Sequence, residues 1–338
     1  MNIKFSLLFL LTILIFSCAG TAAVSKKPVS EPLVEVKEYP SSKFLTAEGA
    51  GQSESEARER AKAELSNIFE AKVSSEVINR VRSSVNSKDE ETVTRDDEQN
   101  IRVLSSVDFK GLEIGKVWHD SKEGNYHALA VLNRHRAREE WQAKIDDIDG
   151  RIEAILESID LVKSKFSRLQ LLKKSRRLWL EKEIVVSRLR VLGFSNASIT
   201  DYDIKYIVSM TNRITSSLIV SINITDGIYG KTISDEITEA LSREGYAVAA
   251  DGGEANVQIS GLLKVSPVDL KNPGWEFARA SASVVMTDTE SGLTVGEITE
   301  KKRASHLTYD EAAHKAVKGV SALVAQKVVK YFNADDGK

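Results

Sequence analysis

A chain of 338 residues, 42% hydrophobic and 28% charged, has apolar material for two or three packed domains and is neither fibrous nor disordered throughout. Its formal net charge of -2, with Lys and Arg spread along the chain, leaves no concentrated basic surface of the kind that grips a phosphate backbone, so no nucleic acid is expected as a partner.

The first segment carries Lys4, an apolar run from Phe5 to Phe16, and then Ser17-Cys18-Ala19-Gly20. A charged head, a short apolar core and small residues form an export signal, here residues 1–17. The run falls short of the roughly 20 residues that a membrane span needs, so a permanent transmembrane anchor is the weaker reading. Cys18 is the only cysteine in the chain, which excludes an internal disulfide. Ile15-Phe16-Ser17-Cys18 resembles the lipobox of bacterial lipoproteins, in which the cysteine is lipidated and becomes the first residue of the mature chain. Acyl chains there would hold the protein to a membrane, each buried methylene contributing about 0.8 kcal/mol. Ala19 stands where an inner-membrane retention signal usually places Asp, and the resemblance therefore implies the outer membrane, facing the periplasm.

Residues 18–43 hold three of the five prolines and no sustained apolar period, as expected of a flexible tether. A first domain is expected over 44–133. It opens with an extended stretch from Phe44, a corner at Gly49 and Gly51, and a helix whose apolar stripe is Ala57, Ala61, Leu65, Ile68 and Phe69. Ser53 and Glu56 have capping-box spacing at its start. Val73–Val85 leans towards β, residues 86–100 read as a charged loop, and strands are expected at 101–107, 112–118 and 126–132, the last two joined by a turn at Asp120–Gly124.

Over 134–192 the apolar positions Trp141, Ile145, Ile148, Ile152, Ile155, Ile159, Val162, Phe166 and Leu169 alternate steps of four and three, the spacing of a packed helix pair or coiled coil. One unbroken helix would approach 90 Å at 1.5 Å per residue, so a hairpin folding back near Ser158–Ser167, or a protruding arm, is expected. A C-terminal domain over 193–334 follows. It should hold a helix from Asp201 capped by Thr200, a strand over 218–224, a helix over 233–244, an antiparallel set at 257–265, 277–287 and 293–301, and a final helix from Tyr309 to Phe332. Thr308 to Ala316 repeats the residue spacing of Ser53 to Ala61, which suggests two modules of similar build. The predicted class is α+β: two small α+β modules, each an antiparallel sheet packed with helices, separated by a helical insert.

The stretches that look chemical fail on spacing. Gly230-Lys231-Thr232 follows a strand, but Thr225 stands where a nucleotide-binding loop needs its first glycine. Asp146–Gly150 would place Ile145 and Leu156 at the calcium-ligand positions, so its acids read as a solvated helix face. Gly49-Ala50-Gly51 would need a glycine at position 54 to bind a dinucleotide, where Glu54 stands, and Glu56 adds charge that repels phosphate. His119, His127, His135, His306 and His314 show no metal-ligand pairing along helix or strand, and no Gly-x-Ser-x-Gly elbow is present. No catalytic residue, nucleotide, other cofactor or metal is expected; Gly49, Gly51, Ser53 and Glu56 read as a structural turn and helix cap.

Residues 44–77 and 107–137, with the Gly49/Gly51/Ser53 corner, the Ala57/Ala61 helix and the Tyr126–Val131 strand, resemble the Lpp-twenty family, named for a twenty-kilodalton membrane-associated bacterial lipoprotein. The resemblance implies a lipid-anchored or periplasmic envelope protein without catalytic residues, and a related domain occurs in a periplasmic flagellar assembly protein. The expected function is a non-catalytic envelope lipoprotein, anchored through Cys18, that binds a protein partner or itself. A flagellar-motor accessory, a glycan-acting envelope enzyme and a secretion-pore component that recruits residues 73–107 as a membrane hairpin stand as alternatives.

Overall fold

The computed structural model describes residues 38–85, 101, 111–195, 202, 204–225, 228–249, 253–270 and 274–333. The export signal, Cys18, the tether up to residue 37, the 86–100 loop, the strand expected at 102–107 and the Thr200 cap lie outside the described residues. The packed chain begins ahead of the expected boundary at residue 44: the Tyr39 ring meets Phe44 edge-on, and its hydroxyl donates to the Gly115 carbonyl at 3.1 Å.

The first sheet has three antiparallel strands, β1 (Phe44–Gly51), β2 (Leu112–Asp120) and β3 (Asn125–Asn133), in the order β1-β3-β2. Helix α1 (Glu54–Val85) packs on β1 and β3. Its buried side chains are Ala57, Ala61, Leu65, Phe69, Val73, Val77 and Val81, each four residues after the last and none more than 2% exposed. Val73–Val85 is thus helical, against the expected β tendency. Valine's preference against helix is only a fraction of a kcal/mol per residue, and burial of one apolar side chain per turn outweighs it. Four residues overshoot a full turn by about 40°, so the seam winds around the helix. Its early part faces the sheet and its later part meets the helices that follow, where Phe69 lies 5.7 Å from Trp141. Ile101, expected in a strand, is helical and fully buried. The membrane-hairpin reading of 73–107 therefore loses its first strand.

Gly49 and Gly51 do not form a turn; both are β1 residues, paired with Ala128 and Tyr126 of β3. A Cβ on Gly49 would stand 2.1 Å from the Ala61 amide nitrogen and 2.6 Å from the Arg60 carbonyl carbon. The glycines let the strand backbone lie directly on the helix backbone. The helix starts where Ser53 Oγ accepts from the Glu56 amide at 3.2 Å, while Glu56 reaches back to the Gln52 amide at 2.9 Å.

The helical insert is a hairpin. Helix α2 (Arg134–Ser158) begins with Asn133 Oδ1 accepting from the His135 and Arg136 amides. After a short 3-10 turn at Ile159–Leu161, α3 (Lys165–Val191) begins with Ser164 Oγ accepting from the Ser167 amide. The apolar spacing runs through this reversal because Ile159, Val162 and Phe166 all face the interior, Val162 only half-buried. The hairpin is no protruding arm. Helix α3 is buried along most of its length, packing against α1, α2, α4 (Ile204–Ser217) and the C-terminal helix, so the seam is satisfied within the chain.

Charged residues go into this core in pairs. The Lys182 ammonium, 1% exposed, is held by Asp149 and lies 4.8 Å from the Tyr202 ring centre. Asp149 is therefore the half-buried partner of a buried lysine and not part of a solvated acidic face. Glu183 meets Arg80 of α1 at 3.2 Å, and Arg190 meets Glu76 at 3.3 Å.

The second sheet has the order β5-β4-β6-β7-β8, formed by β4 (Ile219–Thr225), β5 (Ala247–Val248), β6 (Val257–Pro267), β7 (Glu276–Asp288) and β8 (Thr294–His306). It is mixed, not antiparallel throughout: β4 runs parallel to both β5 and β6, while β6, β7 and β8 are antiparallel. The strand-helix-strand passage β4, α5 (Gly230–Arg243), β5 makes the first of these pairs parallel, since the helix carries the chain back to the end at which β4 begins. Ala278, Ala280, Ala282, Val284 and Met286 form the inner face of β7, and α6 (Tyr309–Asn333) crosses it. At its start Thr308 Oγ1 accepts from the Glu311 amide at 3.4 Å, as Ser53 does in α1. The two modules share this helix-entry chemistry while their sheets differ in strand number and direction.

Two substitutions test this packing by urea unfolding. Gly49→Ala should destabilise by about 3 kcal/mol or more, because backbone on both sides must move apart. Asp149→Ala, which removes the carboxylate that holds the buried Lys182 ammonium, should cost roughly 3–5 kcal/mol, whereas joint replacement of the pair by apolar residues should recover most of that loss.

Candidate functional site

The tip of the β2–β3 hairpin brings together side chains that the linear sequence leaves unrelated. Asp120 closes β2, and its Oδ1 accepts from the Lys122 amide at 2.8 Å and the Glu123 amide at 3.4 Å. Gly124 then takes a φ of +71°, a conformation open to glycine, and its amide donates to the Asp120 carbonyl at 2.8 Å. The turn is written by an aspartate and a glycine.

His127 lies on β3, the middle strand, opposite Trp118 of β2 and Ala50 of β1. Side chains alternate across a strand, so Glu48 shares the face of Ala50 and His127, turned away from the inward Ala47, Gly49 and Gly51. Three contacts fix the imidazole. Its Nδ1 lies 2.7 Å from Glu48 Oε1, Trp118 stacks on it at 5.3 Å with planes 13° apart, and its Nε2 points towards Glu123 Oε2 at 4.0 Å. Nε2 is shut off from solvent and makes no hydrogen bond among the described residues. One ligand-type atom each from Asp120, Glu123 and His127 falls within a 4.8 Å circle.

Chemically this is a set of one imidazole and two carboxylates backed by a third, Glu48. Helix or strand spacing does not reveal this set, because Glu123 and His127 are on neither a common helix nor a common strand; the hairpin turn between them sets their approach. The signal present in the sequence is the order of Asp120, Glu123, Gly124 and His127, with acids in a glycine turn and a histidine on the return strand.

The other sequence candidates lie elsewhere. Gly49, Gly51, Ser53 and Glu56 belong to the β1–α1 contact, where Arg60 pairs with Glu56 and donates to the Ala50 carbonyl at 2.9 Å. Lys231 pairs with Asp235 at 2.7 Å on the surface of α5. His119 packs on Tyr126 at 4.8 Å, His135 on Phe194 at 5.8 Å and His314 on Tyr229 at 5.3 Å, each an aromatic contact. Among the described residues no serine or threonine hydroxyl is hydrogen-bonded to a histidine.

Asp120→Ala removes the acceptor that orders two turn amides and should destabilise by about 1 kcal/mol. Gly124→Ala, at positive φ, should cost a similar 1–2 kcal/mol. Both are read from urea midpoints, and an unchanged midpoint in either variant would show that the turn is not held as described.

No family model matches this chain, and no curated protein does. Among solved structures, a secreted protein from Helicobacter pylori is similar over 83% of this chain and 97% of its own, at 12% identity and a TM-score of 0.40. A minor lipoprotein from Acinetobacter baumannii is similar over 35% of this chain and 91% of its own, at 16% identity and a TM-score of 0.26. A rare lipoprotein B from Shewanella oneidensis is similar over 33% of this chain and 91% of its own, at 13% identity and a TM-score of 0.24. Likenesses at this level assign neither a family nor an activity to the chain.

Proposed function

We propose that this chain is a lipid-anchored protein of the bacterial cell envelope whose body binds and does not catalyse. The observation that carries the reading is the placement of its single cysteine, Cys18, directly after the apolar run that ends at Phe16. Lipidation there supplies the membrane attachment. No helix among the described residues is long and apolar enough to cross a membrane. Among the described residues the first packed contact is at Tyr39, about twenty residues after Cys18, and an extended chain of that length can reach roughly 60–70 Å. Ala19 favours the outer membrane, with the body facing the periplasm.

A binding role is supported by what the polar side chains do. Among the described residues the buried charges of the hairpin are matched across helices as structural pairs, and the clustered polar groups at the β2–β3 tip include no nucleophile. The apolar hairpin seam is consumed inside the chain, so a protein partner or second copy would meet other surfaces. The outer strand β2 is one such surface: Trp118, His119, Tyr126, Lys116 and Arg58 line an open groove of about 470 Å³ beside it. The Lpp-twenty resemblance agrees with an envelope lipoprotein, and the flagellar variant rests on that resemblance alone.

A Cys18→Ser variant tests the anchor. The native chain should sediment with outer membranes, and the variant should appear in the soluble periplasmic fraction. Identical membrane fractionation of the two chains would contradict the proposal.

A further inference from the structure

We propose that the tip of the β2–β3 hairpin is a binding site for one divalent first-row transition-metal ion, with Asp120, Glu123 and His127 as its protein ligands and Glu48 as the orienting carboxylate behind the histidine. The inference rests on this hairpin and on Glu48 of β1, and stands whether or not the chain is lipid-anchored.

The spacing is that of ligands and not of hydrogen-bonded neighbours. His127 Nε2 and Glu123 Oε2 are 4.0 Å apart, beyond a hydrogen bond. Two ligands each about 2.1 Å from one ion lie roughly 3.4 Å apart at a tetrahedral angle and about 4.2 Å apart when opposed. The three donor atoms lie within 4.8 Å of one another, so a tetrahedral site needs them to draw together by up to about 1.4 Å, a movement open to the Glu123 side chain, which is 65% exposed.

The histidine is prepared for this role from behind. In the tautomer that donates Nδ1–H to Glu48, 2.7 Å away, Nε2 carries the lone pair, and carboxylate-histidine-metal is the usual order in protein metal sites. The Nε2 atom is shielded from water and makes no hydrogen bond among the described residues, a costly condition for a buried polar atom that an ion would relieve. Trp118 stacked on the ring prevents it from turning away. Three carboxylates, Glu48, Asp120 and Glu123, gather here against a single basic residue in the turn, Lys122, so the local charge favours a cation.

The donor set decides the class of ion. Calcium and magnesium take oxygen ligands, whereas an imidazole with two carboxylates suits zinc, manganese, cobalt or nickel. Three protein ligands leave coordination positions for water or for a group supplied by a partner.

The test uses the full-length protein in detergent, stripped of metal and of any affinity tag, titrated with Zn²⁺ by calorimetry and by tryptophan fluorescence, to which Trp118 contributes. The expected result is saturable binding of one equivalent per chain that excess Mg²⁺ does not displace. His127→Gln should abolish it, and Glu123→Gln, a surface change that keeps the fold as checked by circular dichroism, should weaken it by at least about tenfold. Glu48→Gln, acting through the ring, should weaken it by about ten- to a hundredfold while keeping the stoichiometry. The proposal is overturned if the native chain shows no saturable uptake at millimolar Zn²⁺, if Glu123→Gln and His127→Gln bind as the native chain does, or if Mg²⁺ competes equally.

Discussion

Burial of helix α3 on nearly every side is the constraint around which this molecule is arranged. A helix takes that position only if each face finds a partner, and α3 finds α1, α2, α4 and α6. Its sequence is not purely apolar, so the neighbours must also neutralise what it carries. Asp149 on α2 holds Lys182 and Arg80 on α1 holds Glu183. Those pairs contribute little net attraction after desolvation, but a packing that misplaced either helix would leave an uncompensated charge in the core. They select one arrangement among the many that apolar contacts alone would permit.

The same demand shapes α1. A helix serving only the first sheet would need one straight apolar face, whereas α1 turns its seam so that Ala57 and Ala61 lie on β1 and Val77 and Val81 lie towards the hairpin. Residue size follows the change of partner. Small side chains stand where glycines bring a strand backbone against the helix, and larger ones where helix meets helix. The first sheet, carried on the early part of α1, leaves the β2–β3 tip at the periphery. A side-chain cluster there can take up a ligand without disturbing the core, and a peripheral tip is also a place that a partner can reach.

Much of the fold was legible because its signals are local. The steps of four and three from Trp141 to Leu169 announced a helix pair, Asp120–Gly124 announced a hairpin turn, and Ser53 and Thr308 announced helix starts, since each depends on residues within one or two turns of chain. Val73–Val85 was misleading for a corresponding reason. Its valines favour strand locally, and the four-residue spacing that makes them helical matters only because other helices lie alongside to bury them. The direction of β4 was equally hidden, because parallel pairing shows itself only through the strand reached after α5.

What the sequence determined by itself, then, is most of the elements, the class of fold and the pattern at Cys18 that implies an anchor, all of which follow from periodicity, capping and short motifs. Tertiary structure alone decided the rest. It made Gly49 and Gly51 contacts instead of turns, since the need for glycine comes from the backbone of Arg60 and Ala61. It turned Asp149 from a surface acid into the partner of a buried lysine. And it set His127 beside Glu48 of β1, a contact that no spacing along the chain could show because it is created by the register of β3 with β1.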